Sequence, residues 1–388
     1  MTRALPGTFP VVPLRRVLKK LVRPAASGAG VVTAFRDGEV TLRSLRREDG
    51  FTFSDQEVGY QGVMSGDLVI HGLDAFAGAI GVCDSIGKCS PVYHVCAPVG
   101  QADVRYIAYA LRAEAEAGFL ELQAGNVRQR AVDFRNWQVL AGIEVPLPEA
   151  HVQRRIADYL DSQVATINDL IATYDHLRHL LARREAASLR RIVADAPDPT
   201  RPLAVLADYV NGYPFKPDDF TPTGLPVIRI RQLVDRDADQ DLFDGWVPDR
   251  VLLRDSDLVF SWSASLEVRE WDRGPAILNQ HLFRVLAHPG IDPRWLRWAL
   301  HVLREDFGEL MHGSTMTHIT QPMMHAIRVP VPSLEKQHDV AATADAIHAQ
   351  SSDVQRLADQ QIARLRERRK TMLVAAVTGC FDVPEVAA

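Results

Sequence analysis

Apolar residues recur every three or four positions along residues 149–194, a stretch that contains neither glycine nor proline. This spacing predicts one long helix with a single apolar stripe. The stripe is predicted to contain Ile156, Leu160, Ile167, Leu170, Tyr174, Leu177 and Leu181. A helix of that length rises roughly 60 Å, which exceeds the width of one small domain, so the stripe requires a second helix as its partner.

The chain itself contains that second helix, because the start of the first recurs 184 residues later. The pattern Ile-x-Val-Pro-x-Pro-x4-Gln-x3-Ala-x3-Asp begins at Ile143 and again at Ile327, with seven identities at one offset. The second predicted stripe is thinner and contains Ala344, Ile347, Ser351, Val354, Leu357, Leu365 and Met372. The repeat indicates an internal duplication.

The segments in front of the two helices also match one another. Buried strands are predicted at 67–70 and 257–260, and a helix follows Asp103 in the first copy and Asp292 in the second. Each copy is therefore predicted to be a small domain that mixes strands and helices.

We predict an α+β fold in which two repeated small globular domains are separated by two long helices. The helices are predicted to form an antiparallel coiled coil with pseudo-two-fold symmetry. Independent helical hairpins are the alternative, but the unbroken run 153–193 leaves no position for a turn. The predicted segments are the first domain at 1–148, the central helix at 149–196, the second domain at 197–332 and the C-terminal helix at 333–388.

The composition is typical of a globular protein with more than one domain, since 47% of the 388 residues are hydrophobic and 24% are charged. The net charge of −5 means that any nucleic-acid surface must be local. Six of the 44 basic residues are lysines. The arginine excess favours planar recognition of guanine or phosphate, although a GC-rich coding bias produces the same excess. Four cysteines and the lack of a long apolar run predict a cytoplasmic protein with no membrane partner.

Motifs of catalytic sites are missing from the sequence. It has no Gly-x4-Gly-Lys-[Ser/Thr] pattern, and no lysine follows a carboxylate at the two-residue spacing of metal-dependent nucleases. The stretch 90–93 resembles the Asn/Asp-Pro-Pro-Tyr/Phe motif of amino-methyltransferases but lacks its first and third residues. Cys83, Cys89, His94 and Cys96 lack the paired spacing of zinc sites, so buried structural thiols are predicted instead.

Four further motifs in the second domain accompany the repeat. They are Asn-Gly-Tyr-Pro-Phe-Lys at 211–216, Phe-x3-Gly-Leu-Pro-Val-Ile-Arg-Ile at 220–230, Leu-Asn-Gln-His-Leu-Phe-Arg at 278–284 and Gly-Ser-Thr-x2-His-Ile-Thr at 313–320. With the repeated Val-Pro-x-Pro-x4-Gln and the arginine-rich helices, they make the whole chain resemble the specificity subunits of type I restriction-modification systems.

The resemblance implies a DNA sequence-specificity subunit without catalytic activity of its own. In this family each of two target-recognition domains reads one half of a split site in double-stranded DNA, and the helices set the spacing and dock the methyltransferase (modification) subunits. S-adenosylmethionine is expected on those subunits and ATP on the restriction subunits, whereas this chain is expected to bind no cofactor or metal. Two departures are the Val-Gln and Lys-Gln at the helix starts, where the family usually has Glu-Gln, and the missing Gly-Tyr-x-Phe-Lys in the first domain.

Two other functions are left open by the residues alone. One is a helical scaffold whose paired domains bind protein, and the other is a DNA methyltransferase or nuclease fused to recognition domains. Binding to DNA would exclude the first, and methyl transfer by the isolated chain would support the second.

Residues that read DNA are predicted from side-chain chemistry, with arginine for guanine, asparagine or glutamine for adenine, and cations for phosphates. The candidates in the second domain are Lys216, Arg229, Arg231, Asn279, Gln280, His281, Thr315 and His318. The candidates in the first domain are Arg43, Arg46, Arg47, Arg128 and Arg130. The alternatives are that Asn279 and Gln280 brace strands and that the arginine cluster at 43–47 is a solvated surface.

Overall fold

A computed structural model describes residues 5, 7–46, 58–123, 127–128, 131–263, 266–312, 319 and 321–384. The chain divides into two compact units, unit 1 with Met1–Tyr174 and Asp359–Ala388, and unit 2 with Asp175–Ala358. Each unit includes part of both long helices. The predicted bounds of the two domains and two helices stay a prediction. The compact units are defined by packing, and each combines a domain with parts of both helices.

The first part of the chain, up to the end of the first long helix, contains twelve of the strands that the structure describes. They are β1 Val11–Pro13, β2 Leu18–Lys20, β3 Val32–Ala34, β4 Val40–Leu42, β5 Gln61–Val63, β6 Leu68–His71, β7 Ile80–Val82, β8 Gly87–Cys89, β9 Tyr93–Pro98, β10 Val127–Arg128, β11 Ala131–Val132 and β12 Glu144–Pro146. The helices are α1 Arg43–Arg46, α2 Val104–Glu116, α3 Phe119–Gln123, α4 Trp137–Leu140 and α5 Ala150–Val193.

The rest of the chain follows the same order of parts. Its strands are β13 Thr200–Pro202, β14 Ala207–Asn211, β15 Leu225–Ile228, β16 Asp241–Phe243, β17 Leu252–Leu253, β18 Leu258–Ser261, β19 Val268–Glu270, β20 Ala276–Leu278, β21 Leu282–Ala287 and β22 Arg328–Pro330. Its helices are α6 Ile230–Val234, α7 Pro293–Val302, α8 Arg304–His312, α9 Gln321–Ala326 and α10 Leu334–Thr378. Single 3-10 turns occur at Leu14–Arg16, Ala75–Ala77, Leu203–Val205, Pro217–Asp219 and Asp249–Val251.

Each unit has the same antiparallel four-stranded sheet. The strand order is β2-β9-β6-β7 in unit 1 and β14-β21-β18-β19 in unit 2. The central strands β6 and β18 are the two predicted buried strands, and each pairs with the strand that precedes the domain helix. The predicted duplication is therefore confirmed at the level of strand order.

A second sheet also recurs in both units. In unit 2 its order is β16-β15-β20-β17, and the central pair β15 and β20 is parallel. In unit 1 the pairs β3-β4 and β5-β8 take the corresponding places, and a parallel bridge between Val31 and Lys88 joins them. Parallel strands end at the same edge of a sheet, so the residues that follow them become neighbours.

The helices α2 and α7 begin where the sequence predicts. The Asp103 carboxylate accepts a hydrogen bond from the backbone N–H of Arg105 at 2.9 Å, and Asp292 accepts one from Arg294 at 2.9 Å. Each aspartate thus satisfies a donor that the first helical turn leaves free. Both helices pack a large aromatic side chain, Tyr106 or Trp295, into the core of their unit.

The two long helices run antiparallel within each unit. In unit 1 the Arg369 guanidinium donates to Asn168 Oδ1 at 2.8 Å, while Leu373 packs in the same core as Leu160. In unit 2 His348 lies 2.6 Å from the Glu185 carboxylate. The predicted pairing is confirmed in each unit.

Part of the predicted apolar stripe is wrong. Leu170, Leu177 and Leu357 are 44%, 38% and 50% exposed. The buried stripe of α5 includes Val164 and continues from Ile167 towards Ile171, so the three-residue step to Leu170 is one position short. On α10 the buried positions are Ala358 and Ile362 in place of Leu357. An α-helix advances 3.6 residues per turn, so a three-residue step taken where the buried face needs four misplaces that one side chain, while Tyr174 and Leu181 stay partly buried.

The repeated glutamine explains why the helix start recurs. Gln153 is buried, donates through Nε2 to the carbonyl of Pro148 at 2.7 Å and accepts from the N–H of Asp103 at 2.9 Å. Gln337 does the same with Pro332 at 2.9 Å and Asp292 at 2.8 Å. Each glutamine therefore joins the first turn of a long helix to the start of the domain helix in its unit.

The repeated aspartate, Asp161 or Asp345, connects the same two helices of each unit at a second position further along the long helix. Asp161 Oδ1 accepts a hydrogen bond from the Tyr109 hydroxyl at 2.7 Å, and Asp345 Oδ1 accepts one from Trp298 Nε1 at 2.9 Å. Arg294 and Arg297 also donate to Asp345. The aspartate thus holds the domain helix against the long helix in both units.

The cysteines of the first domain are buried side chains of the core. Burial raises the pKa of Cys89 and Cys96 to about 12, so their thiols stay protonated near neutral pH. Cys83 is also buried, and its thiol donates to the carbonyl of Ser85. Among the described residues no group of three or more His, Cys, Asp or Glu side chains is placed to hold a metal ion. No helix in the described ranges is both long and apolar enough to cross a membrane.

Candidate nucleic-acid interface

The carboxyl ends of the parallel strands β15 and β20 bring two predicted site residues together. Arg229 follows β15, and Asn279 follows β20. The backbone N–H of Asn279 donates to the carbonyl of Ile228 at 3.0 Å, so the two chain segments touch at this edge. Polar side chains 50 positions apart in the sequence are thus neighbours because the strands are parallel.

A groove of about 480 Å³ opens at this edge of the sheet. Three kinds of side chain line it: aromatic rings, amides and ionisable groups. The lining residues are Phe215, Pro217, Phe220, Arg229, Asp241, Asn279, Gln280 and His281. Four of the predicted residues therefore meet at one site.

The motif at 211–216 forms one wall of the groove, and its glycine is required by close packing. The N–H of Tyr213 donates to the carbonyl of Leu278 at 2.7 Å, and the N–H of Gln280 donates to the carbonyl of Tyr213 at 3.0 Å. A Cβ atom on Gly212 would lie 2.2 Å from the carbonyl oxygen of Asn279. Any larger residue would force this strand away from the segment that carries Gln280.

Aromatic rings stiffen the same wall. The ring centroid of Phe215 lies 5.0 Å from that of Tyr213, 5.7 Å from Phe220 and 5.1 Å from Phe243. Such contacts stabilise a ring cluster beyond the burial of its apolar surface. The wall is therefore a preformed surface rather than a set of independent side chains.

Arg229 lies between this wall and a carboxylate. Its guanidinium carbon is 4.8 Å from the centre of the Phe220 ring, and Nη2 is 3.1 Å from Asp241 Oδ2. The backbone N–H of Arg229 donates to the side chain of Gln232 at 3.0 Å. Both the main chain and the side chain of Arg229 are thus held in place.

The three residues after β20 differ in what their side chains do. Asn279 is buried, and its Oδ1 accepts from the N–H of His281 at 3.3 Å, which supports the bracing alternative for this residue. Gln280 is half-buried and His281 is exposed, and their Nε2 atoms lie 3.4 Å apart. Gln280 and His281 therefore present polar groups to the groove.

Trp262 supports this segment and was not predicted from the sequence. Its Nε1 donates to the carbonyl of Gln280 at 3.1 Å, and its ring centroid lies 5.6 Å from that of His281. The carbonyl of Trp262 accepts from the N–H of Ile319 at 2.8 Å, and Ile319 belongs to the motif at 313–320. A tryptophan between two serines directly after the buried strand β18 was the available signal.

Two predicted residues of unit 2 lie away from the groove lining. Lys216 is exposed at the start of the single turn Pro217–Asp219. Arg231 lies in α6 and donates through Nη2 to the carbonyl of Asp239 at 2.6 Å. Lys216 therefore lies beside the groove wall. The Arg231 side chain is hydrogen-bonded to the loop that follows its own helix.

Two arginines of the predicted cluster at 43–47, Arg43 and Arg46, contact side chains of their own unit. Arg46 donates to Asp37 at 2.9 Å and to Glu39 at 2.6 Å, and its guanidinium carbon lies 4.1 Å from the centre of the Phe35 ring. Hydrogen bonding to Asp37 raises the pKa of Arg46 above its ordinary value. Arg43 Nε lies 3.4 Å from Thr33 Oγ1. Arg46 therefore closes the β3–β4 loop.

The remaining predicted residues are Arg47, Arg130, Thr315 and His318, which lie outside the described residues. The side chain of Arg128 is also outside them, while its backbone belongs to β10. The strand β10 pairs antiparallel with β11, and Arg128 is opposite Ala131.

Comparison with known proteins gives one curated relative and several solved structures. No family model matches the chain. The specificity subunit of the type I restriction enzyme EcoBI from Escherichia coli is 25% identical over 177 residues, which is 45% of this chain and 37% of that protein. The chain thus matches little more than a third of the length of this relative.

The solved structures cover almost the whole chain. A chain from a study of complex assembly and conformational transition in the type I R-M system has a TM-score of 0.74 at 16% identity, covering 97% of this chain and 99% of its own. The HsdS subunit from Thermoanaerobacter tengcongensis has a TM-score of 0.48 at 18% identity, with coverage of 97% and 98%. The first of these shows that the α+β fold class is shared. The match to the E. coli protein confirms the resemblance to type I specificity subunits.

Proposed function

We propose that this chain is the DNA sequence-specificity subunit of a type I restriction-modification complex. The observation that carries the proposal is the groove of unit 2, where Arg229, Gln280 and His281 lie beside a preformed aromatic wall at the carboxyl ends of two parallel strands. Guanidinium, amide and imidazole groups are the side chains that match base edges in DNA. The similar E. coli specificity subunit supports the same assignment.

Each unit is proposed to read one half of a split site in double-stranded DNA. The shared order of strands in the two units supports this division, because a duplicated fold offers equivalent surfaces for two half-sites. The long helices α5 and α10 are proposed to set the spacing between half-sites and to dock modification subunits. Methyl transfer with S-adenosylmethionine and ATP-driven cleavage are assigned to the modification and restriction subunits, so this chain is proposed to be non-catalytic and cytoplasmic.

The experiment is a selection of duplexes from a randomised pool by the full chain, alone and with co-expressed modification subunits. We expect a selected sequence in two short blocks separated by positions without preference. Selection of no sequence, or of one continuous block, would contradict the proposal. A protein-binding scaffold would select nothing, and a fused methyltransferase would transfer methyl groups without the other subunits.

The division between units is tested by changing one groove at a time. Gln280→Ala with His281→Ala should relax one block and leave the other unchanged, because both side chains belong to unit 2. Loss of preference in both blocks would contradict a separate role for each unit. Arg236→Ala, which breaks an exposed ion pair with Asp272 in the same unit, is the control and should leave both blocks intact.

A further inference from the structure

The guanidinium group of Arg229 combines a fixed plane with free hydrogen-bonding capacity. Its plane is constrained by the Phe220 ring at 4.8 Å and by Asp241 at 3.1 Å from Nη2. Among the described residues, Asp241 is the acceptor group that contacts this side chain. The other N–H donors of the guanidinium are therefore left for a ligand in the groove, in a geometry that is already ordered before binding.

The charges around the groove favour a base edge over a phosphate. Its lining contains one arginine and one aspartate, whose charges cancel, together with the imidazole of His281. Phosphate sites in DNA-binding proteins gain affinity from uncompensated positive charge. Aromatic and amide groups such as Phe215 and Gln280 instead suit the flat, polar edge of a base.

We propose that Arg229 reads a guanine in the half-site of unit 2, with Asp241 as its positioning residue. Guanine offers two acceptors, O6 and N7, on one edge of the major groove, and the guanidinium fork matches both. Adenine and cytosine each place a donor on that edge, which would face the arginine donors unfavourably. This inference rests on the proposed function and adds the base and the residue that reads it.

Asp241 holds Arg229 from the neighbouring strand. Strands β15 and β16 are antiparallel, and Asp241 pairs with Val227 in register. Arg229 follows β15 at the edge where β16 begins, which brings the carboxylate beside the guanidinium. Asp241 is thus a positioning residue, and we expect its loss to loosen the guanine preference without removing the arginine.

The test measures base preference rather than affinity alone. Duplexes selected by the full chain are compared with duplexes in which single guanines are replaced by 7-deazaguanine, which lacks the N7 acceptor. We expect one replacement in the unit 2 half-site to weaken binding about ten- to hundredfold. The Arg229→Ala variant should be insensitive to that same replacement, because the contact is already gone.

Two further variants separate reading from folding. Arg229→Lys keeps the charge but loses the planar guanidinium group, so it should bind the guanine duplex more weakly and discriminate less between guanine and the other bases. Asp241→Asn should show a smaller loss of preference at the same base. The pair Arg236→Ala and Asp272→Asn removes an exposed ion pair of 3.0 Å outside the groove lining and should change no preference.

Two results of the binding titrations would overturn the inference. One is a wild-type chain that is insensitive to 7-deazaguanine at every guanine of the half-site. The other is an equal loss of affinity for all duplexes in Arg229→Ala, with a salt dependence lowered by about one charge, which identifies a phosphate contact. If the wild type selects no sequence, the proposed function fails. If it selects a split site whose preferences Arg229→Ala leaves unchanged, this inference alone fails.

Discussion

Unit 1 and unit 2 both stack an arginine on a phenylalanine beside corresponding sheets, but the two guanidinium groups are engaged to different extents. Arg46 lies over Phe35 and donates to both Asp37 and Glu39. Arg229 lies over Phe220 and is contacted by one described carboxylate. The number of hydrogen-bond acceptors around the guanidinium group decides what such an arginine does. With two carboxylates it stabilises its own loop, and with one it keeps N–H donors for a ligand.

The cores of the two units also differ at one equivalent position of the domain helix. Glu114 of α2 corresponds to Leu303 at the end of α7, at the offset of 189 that relates Asp103 to Asp292, and both are buried. Glu114 Oε1 accepts from the N–H of Leu5 at 2.9 Å, whereas no described group bonds Oε2. The two copies therefore bury a carboxyl group in unit 1 and an aliphatic group in unit 2 at equivalent positions.

The largest expected effect tests what the units share. Gln337→Ala leaves the N–H of Asp292 and the carbonyl of Pro332 without partners, so it should lower the free energy of unfolding by about 2 to 4 kcal/mol. Gln153→Ala should have an effect of the same size, measured by urea denaturation of the full chain. Gln360→Ala, at an exposed position of α10, is the control. If only one of the two substitutions lowered the free energy of unfolding strongly, the two glutamines would not have equivalent roles in their units.

The second prediction concerns pH and separates the two units. Burial raises the pKa of Glu114 from an ordinary 4.5 to about 7. A folded-state pKa above the unfolded value means that the stability from the protonated carboxyl is complete below pH 4.5 and is lost as pH rises through about 7. Glu114→Gln should remove this loss, on the order of 2 to 3 kcal/mol.

The measurement is urea denaturation of wild type and Glu114→Gln at several pH values across that window. Leu303→Met in unit 2 is the matched control, since it changes the corresponding position without adding a titrating group. A wild type and a Glu114→Gln variant with the same pH profile would show that the buried carboxyl does not titrate in this window.

The smallest effect sharpens the contrast between the two arginines. Arg46→Ala should lower the free energy of unfolding by about 1 kcal/mol, because a two-carboxylate network and a ring contact are lost. Arg229→Ala should lower it by less, about 0.5 kcal/mol, because it loses a ring contact of the same kind but only one half-exposed ion pair. Thermal unfolding of both variants gives the comparison. Equal losses would show that Arg229 is as much a structural residue as Arg46.

The sequence by itself determined the duplication, the two long helices and the start of each domain helix. These features depend on local chemistry, since helix periodicity, a capping aspartate and the identities from Ile143 and Ile327 are all readable along the chain. The same reading placed Leu170 and Leu177 on the buried face, because it twice took a three-residue step where the packed helix needs four.

Only the tertiary structure decided which polar residues share a site. Arg229 meets Phe220, Asp241 and Gln280 because two parallel strands end together and an antiparallel neighbour begins at that edge. Trp262 also joins the site only in the folded chain, where it donates a hydrogen bond to the carbonyl of Gln280, 18 positions later in the sequence. The spacing of residues along the sequence does not predict these contacts. They depend on the order of the strands in the sheet and on which carboxylates the fold places beside an arginine.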